Sequence, residues 1–309
     1  LIGVSGGRDS MALLHGLLAC GFHRLIPCHL NHQLRQSEAD LDENFVRSQA
    51  SKLNLPFHSE KIDIPTLAKK NKTSIETTAR LQRLLFFAHC AQKFQTNTLF
   101  LAHHAQDQVE TLLLHLLRGT GPKGLAAMEQ KVIFNIDQNV NLSILRPMLD
   151  IPPDSIQSWM LLNQIPWRND SSNSSTLFLR NRIRLNLLPL LNQIAGRNCL
   201  PPLLRTANIL HHENQFLNSL LQNSDLNLSL PHLPTKKLAQ LPLPLRRRAI
   251  LTWLRNQGLH DAGFHEVQQI LRLIPSPDNP LPASKVNLPH NIHARRTRQT
   301  LYLQFPQKN

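Results

Sequence analysis

The chain is short of several things, and each shortage narrows what it can be. Its 309 residues include four cysteines, three tryptophans and one tyrosine. Cys20, Cys28, Cys90 and Cys199 lie far apart and form no C-x-x-C pair. That excludes a cysteine zinc site or a disulfide framework and fits isolated buried thiols in a reducing compartment. No apolar run approaches the ~18 residues of a membrane span, so no membrane partner is expected. The chain opens on Leu1, already inside an apolar stretch, and reads as trimmed there, with no targeting segment to interpret. The nucleotide loop G-x-x-x-x-G-K-[ST] is missing as well. The most telling scarcity is of acid. Residues 171–309 hold 17 Lys and Arg against 5 Asp and Glu, whereas residues 1–170 hold 17 against 15. One half has the balance of an ordinary globular domain. The other is a candidate footprint for a polyanion, the alternative being a basic face that only keeps the chain soluble.

What is present begins at the first residues. Ile2-Gly3-Val4 runs into Ser5-Gly6-Gly7-Arg8-Asp9-Ser10, and a helical apolar pattern (Met11, Leu13, Leu14, Leu17, Leu18) starts at once. A strand, a glycine turn and a helix N-terminus aim several backbone N–H groups at one point, which suits phosphate. Further alternation follows, with strands over 24–30, 57–62 and 97–102 and helices over 37–53, 73–88 and 111–117, the last opening around Asp107 and Glu110. Thr73 or Ser74 caps the second of these helices and Gly119–Pro122 stops the third. That order predicts a parallel sheet covered on both faces. Its carboxyl edge gathers Ser5–Ser10, His29–His32 and His103–Glu110. Residues 123–141 read as irregular, 142–146 as an edge strand and 152–163 as a short helix. A break at 195–200 divides an α/β domain, 1–195, from a smaller, mainly helical domain, 200–309. The latter has helices over 203–222, 242–257 and 263–273, a loop over 226–237 and extended structure from 283 to 305.

Several residues are candidates for chemistry. Asp9, beside a phosphate cradle, is repelled by the ligand unless a divalent cation bridges them, which makes it a Mg²⁺ ligand; a helix cap is the alternative. Asp107 and Glu110, three apart, share a helix face. They can hold Mg²⁺ or receive a cationic substrate, or serve only as the acidic first turn that a helix dipole favours. His103 and His104 are adjacent and cannot both point inward, and a zinc site there lacks further ligands. Glu76, Arg80 and Arg83 form one helical stripe, on which an arginine can fork onto phosphate or make a surface ion pair. Arg180, Arg182 and Arg184 alternate and make no helical stripe, yet the apolar Leu177, Leu185, Leu188 and Leu191 suit a helix packed on a core. Arg246-Arg247-Arg248 and Arg295-Arg296-Thr297-Arg298 are the densest basic clusters. Trp253 and Tyr302 are candidates to stack bases, although core packing is the preferred reading of both.

The SGGRDS loop resembles the pyrophosphate loop of the N-type ATP pyrophosphatases. With NHQLR (31–35), ETTARLQR (76–83), LAHHAQDQVETLLLHLLRGTGPKGL (101–125), RPM (146–148), WRNDSSN (167–173), RNRIRLNLLP (180–189) and QLPLPLRRRAILTWL (240–254), it makes nearly the whole chain similar to the tRNA(Ile)-lysidine synthases. The resemblance implies an enzyme that uses ATP and Mg²⁺ to adenylate the C2 oxygen of the wobble cytidine of tRNA(Ile) with anticodon CAU. The ε-amine of free L-lysine then attacks C2, expels AMP and leaves lysidine. It implies ATP-binding roles for Ser5, Gly6, Gly7, Arg8, Asp9, Ser10, His32, Arg80 and His103. Catalytic and lysine-binding roles fall on Asp107 and Glu110, a catalytic role on Arg118, and contacts with ATP or tRNA on Arg180 and Arg184. The charge split assigns Arg246, Arg247 and Arg248 to tRNA. A cytoplasmic enzyme is expected, with a plastid stroma as the alternative, and a homodimer is a further expectation. The runner-up readings are another ATP-dependent tRNA amidotransferase or thiolase on the same fold, and a non-catalytic RNA-binding relative. One departure stands out: the family commonly shows HHxDDQ, whereas Gln106 precedes Asp107 here, and helical spacing predicts that only Asp107 shares the face of Glu110.

Overall fold

Apolar positions at period two and period 3.6 alternate through the first 125 residues, and a computed structural model of the chain turns them into strands and helices in that order. The described residues are 1–34, 37–137, 140–169, 179–275 and 282–306. Arg35 of the NHQLR segment and residues 170–173 of the WRNDSSN segment lie outside them. The chain forms two compact units, Leu1–His211 and His212–Asn309.

The first unit runs β1 (Ile2–Gly3), α1 (Arg8–Ala19), β2 (Pro27–Asn31), α2 (Ser37–Lys52), β3 (His58–Lys61), α3 (Ile64–Asn71), α4 (Ile75–Lys93), β4 (Thr98–Phe100), α5 (Ala105–Leu117) and α6 (Pro122–Leu125). There follow β5 (Lys131–Asp137), β6 (Val140–Leu145), α7 (Pro153–Leu162), α8 (Leu179–Arg182), a π-helical turn Ile183–Leu187, α9 (Leu188–Ala195) and α10 (Leu200–Gln222), which crosses the division between the units. Ser74 caps α4, its Oγ accepting from Thr77 N at 3.1 Å. The sheet order is β3-β2-β1-β4-β6-β5, parallel throughout except that β5 runs antiparallel to β6. The sequence read this last region as irregular; β5 is an edge strand whose Ile133 stays exposed, so it lacks a clear apolar alternation. The chain turns back at β1: the β2–β3 units lie on one side of it and β4 on the other, and such a reversal opens a crevice at the carboxyl ends of the strands.

Two apolar layers flank the sheet. Ile2, Val4, Met11, Leu14, Val46 and Met160 pack on one face, and Cys28, Phe86, Phe87, Cys90, Leu99 and Leu142 on the other. Cys28 and Cys90 are buried as expected, whereas Cys20, just past the end of α1, is exposed. The expected boundary at 195–200 is a helix-to-helix turn inside the first unit. Leu200, Leu203, Leu204 and Ala207 of α10 join Val109, Leu113, Ile183 and Leu188 in one cluster, which ties the start of that helix to this unit.

The second unit adds a small sheet to its helices. β7 (His232–Pro234), α11 (Thr235–Gln240), α12 (Leu243–Asn256), α13 (Phe264–Leu271), β8 (Lys285–Leu288), β9 (Ile292–Arg296) and β10 (Thr300–Gln304) give an antiparallel sheet of order β7-β10-β9-β8. Its inner face and α12 enclose Leu233, Leu301, Ala294 and Ile250 around the fully buried Trp253, whose Nε1 donates to Leu230 O at 2.9 Å. Trp253 is therefore a core residue, as its sequence context favoured. The stretch 226–237, read as loop, contains β7 and the start of α11.

Gly3 shows how tightly β1 is held. A Cβ there would lie 2.8 Å from Leu101 Cδ2 and 2.9 Å from Phe87 Cζ. Gly3→Ala is expected to cost about 1–3 kcal/mol, the usual range for overpacking, measured as a lower midpoint in chemical denaturation. An unchanged midpoint would show that the two side chains give way freely.

Candidate functional site

The loop after β1 is built by its own hydroxyls. Ser5 N donates to Ser10 Oγ at 3.2 Å, Gly7 N donates to Ser5 Oγ at 3.3 Å, and Ser10 Oγ donates to Gly7 O at 2.9 Å. Gly6 has φ +90°, a conformation that favours glycine, and a Cβ there would press on Val46 at 3.3 Å. From a distant part of the sequence Arg168 N donates to Gly6 O at 3.0 Å while its Nε donates to Asp42 Oδ1 at 2.6 Å. The WRN segment therefore braces the loop. No side chain caps α1, whose Ncap is Gly7, so its first N–H groups are left for an anion.

Asp9 stands in the first turn of α1. Arg8 Nε donates to Asp9 Oδ1 at 2.9 Å, and His104 Nε2 lies 3.5 Å from Asp9 Oδ2. Burial opposes ionisation of Asp9, yet the contact with His104 and the charge of Arg8 hold its carboxyl below the usual range. It is an ionised carboxylate next to a helix N-terminus with room for an anion, and as a single protein ligand it fits the way Mg²⁺ is held between one carboxylate and a bound phosphate chain.

His103 and His104 follow β4 and divide their roles. His104 is the Ncap of α5: its Nδ1 accepts from Gln106 N at 3.2 Å while Asp107 Oδ2 accepts from His104 N at 2.9 Å, a reciprocal capping box. Buried between Asp9 and Asp107, His104 links two carboxylates that sequence reading treated separately. The His-x-x-Asp spacing before an apolar helix was the available signal. His103 and His32 both have a buried Nδ1 without a partner among the described residues. Burial lowers each imidazole to about 4, helped for His32 by Arg83 and for His103 by Arg146, Arg180 and Arg83, against the opposing charge of Asp107. Two neutral imidazoles therefore sit in a cationic recess. Arg83 and Arg146 belong to that recess too, and both have their guanidinium pKa lowered by burial and then by the charge of Arg80.

Asp107 and Glu110 do share one helix face, and arginines already hold them. Arg180 Nε donates to Glu110 Oε2 at 2.7 Å and its Nη2 to Asp107 Oδ1 at 2.8 Å. Arg184 Nε donates to Glu110 Oε1 at 2.5 Å, and its Nη2 reaches Glu110 Oε2 at 3.2 Å. Arg180 and Arg184 lie one turn apart on the continuous helical segment of α8 and the π turn, as the apolar spacing of this stretch predicts, and so share a helical stripe that the alternation of the arginines was read to exclude. Burial disfavours the Asp107 carboxylate, but His104, from whose backbone N–H it accepts, and the charge of Arg180 lower its pKa overall. Gln106 also corrects an expectation: its Nε2 donates to Glu110 Oε1 at 3.2 Å, because i and i+4 meet on a helix as well as i and i+3. Arg118 is the C-cap of α5, about 16 Å along the axis from Asp107 at 1.5 Å per residue, so the structure does not bring it to the first turn.

In the second unit the Arg246–Arg248 cluster is largely spent on the fold. Arg246 donates to the carbonyls of Leu238, Ala239 and Leu241, and Arg248 to the side-chain carbonyls of Asn214 and Asn218. The Arg247 guanidinium lies 5.7 Å from the centre of the Phe264 ring.

A phosphate cradle at the carboxyl edge of a parallel sheet, at the point where the strand order reverses, defines an α/β nucleotide-binding domain, and residues 1–191 match the family described as the PP-loop domain. Residues 233–302 match the TilS substrate binding domain. The chain belongs to this PP-loop family and, within it, to the tRNA(Ile)-lysidine synthases. It is 32% identical to the tRNA(Ile)-lysidine synthase of Bacillus subtilis, over 99% of this chain and 66% of that protein. It is 33% identical to the bifunctional protein TilS/HprT of Listeria monocytogenes serotype 4b, over 100% of this chain and 48% of that protein. The chain thus spans about half to two thirds of the length of these relatives. Among solved structures, the U34-tRNA thiolase NcsA of Methanococcus maripaludis is similar at a TM-score of 0.53 and 14% identity, over 68% of this chain and 71% of that one, a likeness of fold. Among the described residues no helix is long and apolar enough to cross a membrane.

Glu110→Gln leaves two guanidinium groups facing one fewer charge in a buried setting. Because both arginines keep some solvent access, the expected loss of stability is about 1–3 kcal/mol, below the usual figure for a fully buried pair, and it shows as a lower Tm. An unchanged Tm would mean the network adds nothing to folding. The imidazoles give a pH dependence of known sign. Their folded pKa values near 4 lie below the unfolded value of 6.5, so the unfolded chain takes up protons first as the pH falls. Their contribution is complete above pH 6.5 and is lost progressively towards pH 4. Denaturation midpoints of His32→Gln and His103→Gln should fall less steeply over that window than those of the unsubstituted chain.

Proposed function

We propose that the chain ligates lysine to C2 of the wobble cytidine of tRNA(Ile) with anticodon CAU, consuming ATP and releasing AMP and pyrophosphate. The observation that carries this reading is the combination, in one chain, of the glycine-loop anion cradle and the acidic first turn of α5 with a domain matching the TilS substrate binding domain. In this reading the N–H groups at the start of α1 hold the phosphates that leave as pyrophosphate. Asp9 is the protein ligand of Mg²⁺, which would screen those phosphates. The cationic recess of Arg80, His32 and His103 holds the rest of the nucleotide, its imidazoles neutral and free to donate or accept one hydrogen bond each.

Asp107 and Glu110 receive the lysine. Since Arg180 and Arg184 already occupy both carboxylates, an ammonium reaching them must share or displace a guanidinium, so lysine binding and the placement of these arginines are coupled. The ε-amine must be neutral to attack C2, and a carboxylate beside it is a suitable proton acceptor. The new C–N bond forms as the bond from C2 to the adenylated oxygen breaks and AMP carries that oxygen away. A cytoplasmic setting suits a soluble tRNA substrate.

Incubating the chain with this tRNA, ATP and labelled lysine is expected to put label into the tRNA, with one AMP and one pyrophosphate for each lysine. Transfer of ammonia or sulfur without lysine would replace the proposal with the runner-up chemistry. Asp107→Asn should raise KM for lysine or cut turnover at least ~10-fold, while ATP binding persists. Unchanged lysine kinetics would reduce the acidic pair to a structural feature of the start of α5.

A further inference from the structure

The small sheet of the second unit has two unlike faces. Leu233, Leu301 and Ala294 point into the core. Side chains alternate along a strand, so their neighbours point out, and the strand register aligns four of them in one row. His232 of β7 pairs with Tyr302 of β10, Tyr302 with Arg295 of β9, and Arg295 with Lys285 of β8. The row spans about 14 Å at ~4.8 Å per strand. It holds the one tyrosine of the chain, half-buried and outward-facing, where sequence context favoured the core. His293 stands beside Arg295 on the same face, and Arg295 Nε and His293 Nδ1 are both buried and lack a partner among the described residues. An open recess of about 540 Å³ adjoins Tyr302, lined by Pro231, His232, Thr297, Thr300, Tyr302 and Leu303. Residues 279–309 contain no Asp or Glu, so nothing acidic within that stretch neutralises the row.

We propose that this outward face is the surface on which the second unit holds RNA: Tyr302 stacks an unpaired base of the substrate tRNA over the adjoining recess, while Arg295 and Lys285 hold the phosphates that follow it. A planar ring flanked by cations across neighbouring strands is the chemistry of single-stranded RNA recognition, in which stacking supplies affinity and guanidinium and ammonium groups follow the backbone. A basic face that served solubility alone has no use for an outward ring at its centre. The inference rests on the proposed tRNA substrate and adds to it where that substrate is held. It also removes the footprint from Arg246 and Arg248, whose donors are already engaged within the chain.

The test is tRNA binding by the full chain across a salt series. Arg295→Gln and Lys285→Gln should each lower the slope of log K against log salt by about 0.7–0.9, one phosphate contact apiece. Tyr302→Ala should weaken binding roughly five- to a hundredfold with the slope unchanged, and Tyr302→Phe should restore it, because the ring does the stacking. ATP binding, which uses the first unit, should be the same in all four variants. If the unsubstituted chain binds the tRNA and the variants match it in affinity and slope, the surface assignment is overturned and the proposed reaction stands. If the unsubstituted chain binds no tRNA, both fall together.

Discussion

The constraint on which the rest of the first unit depends is the cost of burying Glu110. Its side chain has no solvent-exposed surface, and a carboxylate taken out of water costs several kcal/mol unless opposite charge and hydrogen bonds return the energy. Here Arg180, Arg184 and Gln106 supply those contacts. Because two guanidinium groups must reach one carboxylate from the same side, they have to lie one turn apart on a helix, and that requirement fixes α8 and the π turn against α5. Once that helix is fixed, Asp107 meets the same arginines, His104 is held between Asp107 and Asp9, and the start of α5 is tied to the start of α1. The two helix N-termini at the crevice are thus joined through charge as well as through the sheet.

That coupling explains why the recess is cationic and yet stable. Burial, aided by the charge of Arg83 at His32 and by Arg146, Arg180 and Arg83 at His103, keeps both imidazoles unprotonated against the opposing charge of Asp107 at His103. The imidazoles are neutral at neutral pH and the charge of the recess comes from the arginines, a division that suits a polyphosphate held by the proposed reaction.

What was legible in the sequence was what local geometry determines. The glycine turn and the Ser74 cap are settled within four residues, and the carboxyl-edge clusters follow from strand–helix alternation alone. The partners of Asp107 and Glu110 lie some seventy residues away in sequence, and no spacing rule reaches that far. Gln106 was misjudged because helical geometry was applied to one neighbour pair and not to its i, i+4 alternative. β5 escaped notice because an edge strand keeps an apolar residue on its open side, and β7 because a three-residue strand that ends in a proline carries no period. The core reading of Trp253 held, while that of Tyr302 failed, since a bare count of aromatic residues ignores which side of a strand each one takes.

The basic excess of the second half of the chain shows why net charge is a poor map of a binding surface. A guanidinium can cap carbonyls as readily as it meets phosphate, and the densest run, Arg246–Arg248, sits at the start of α12, where the carbonyls at the end of α11 need donors. Arginines recruited in this way add to the charge count without adding donors for a ligand. Within the sheet the side of the strand decides the use: Arg296 donates to the Pro282 and Ala283 carbonyls, whereas its neighbour Arg295 and the paired Lys285 alternate onto the outward face. On that argument the row through Tyr302 carries more of the polyanion footprint than the larger cluster that dominates the sequence.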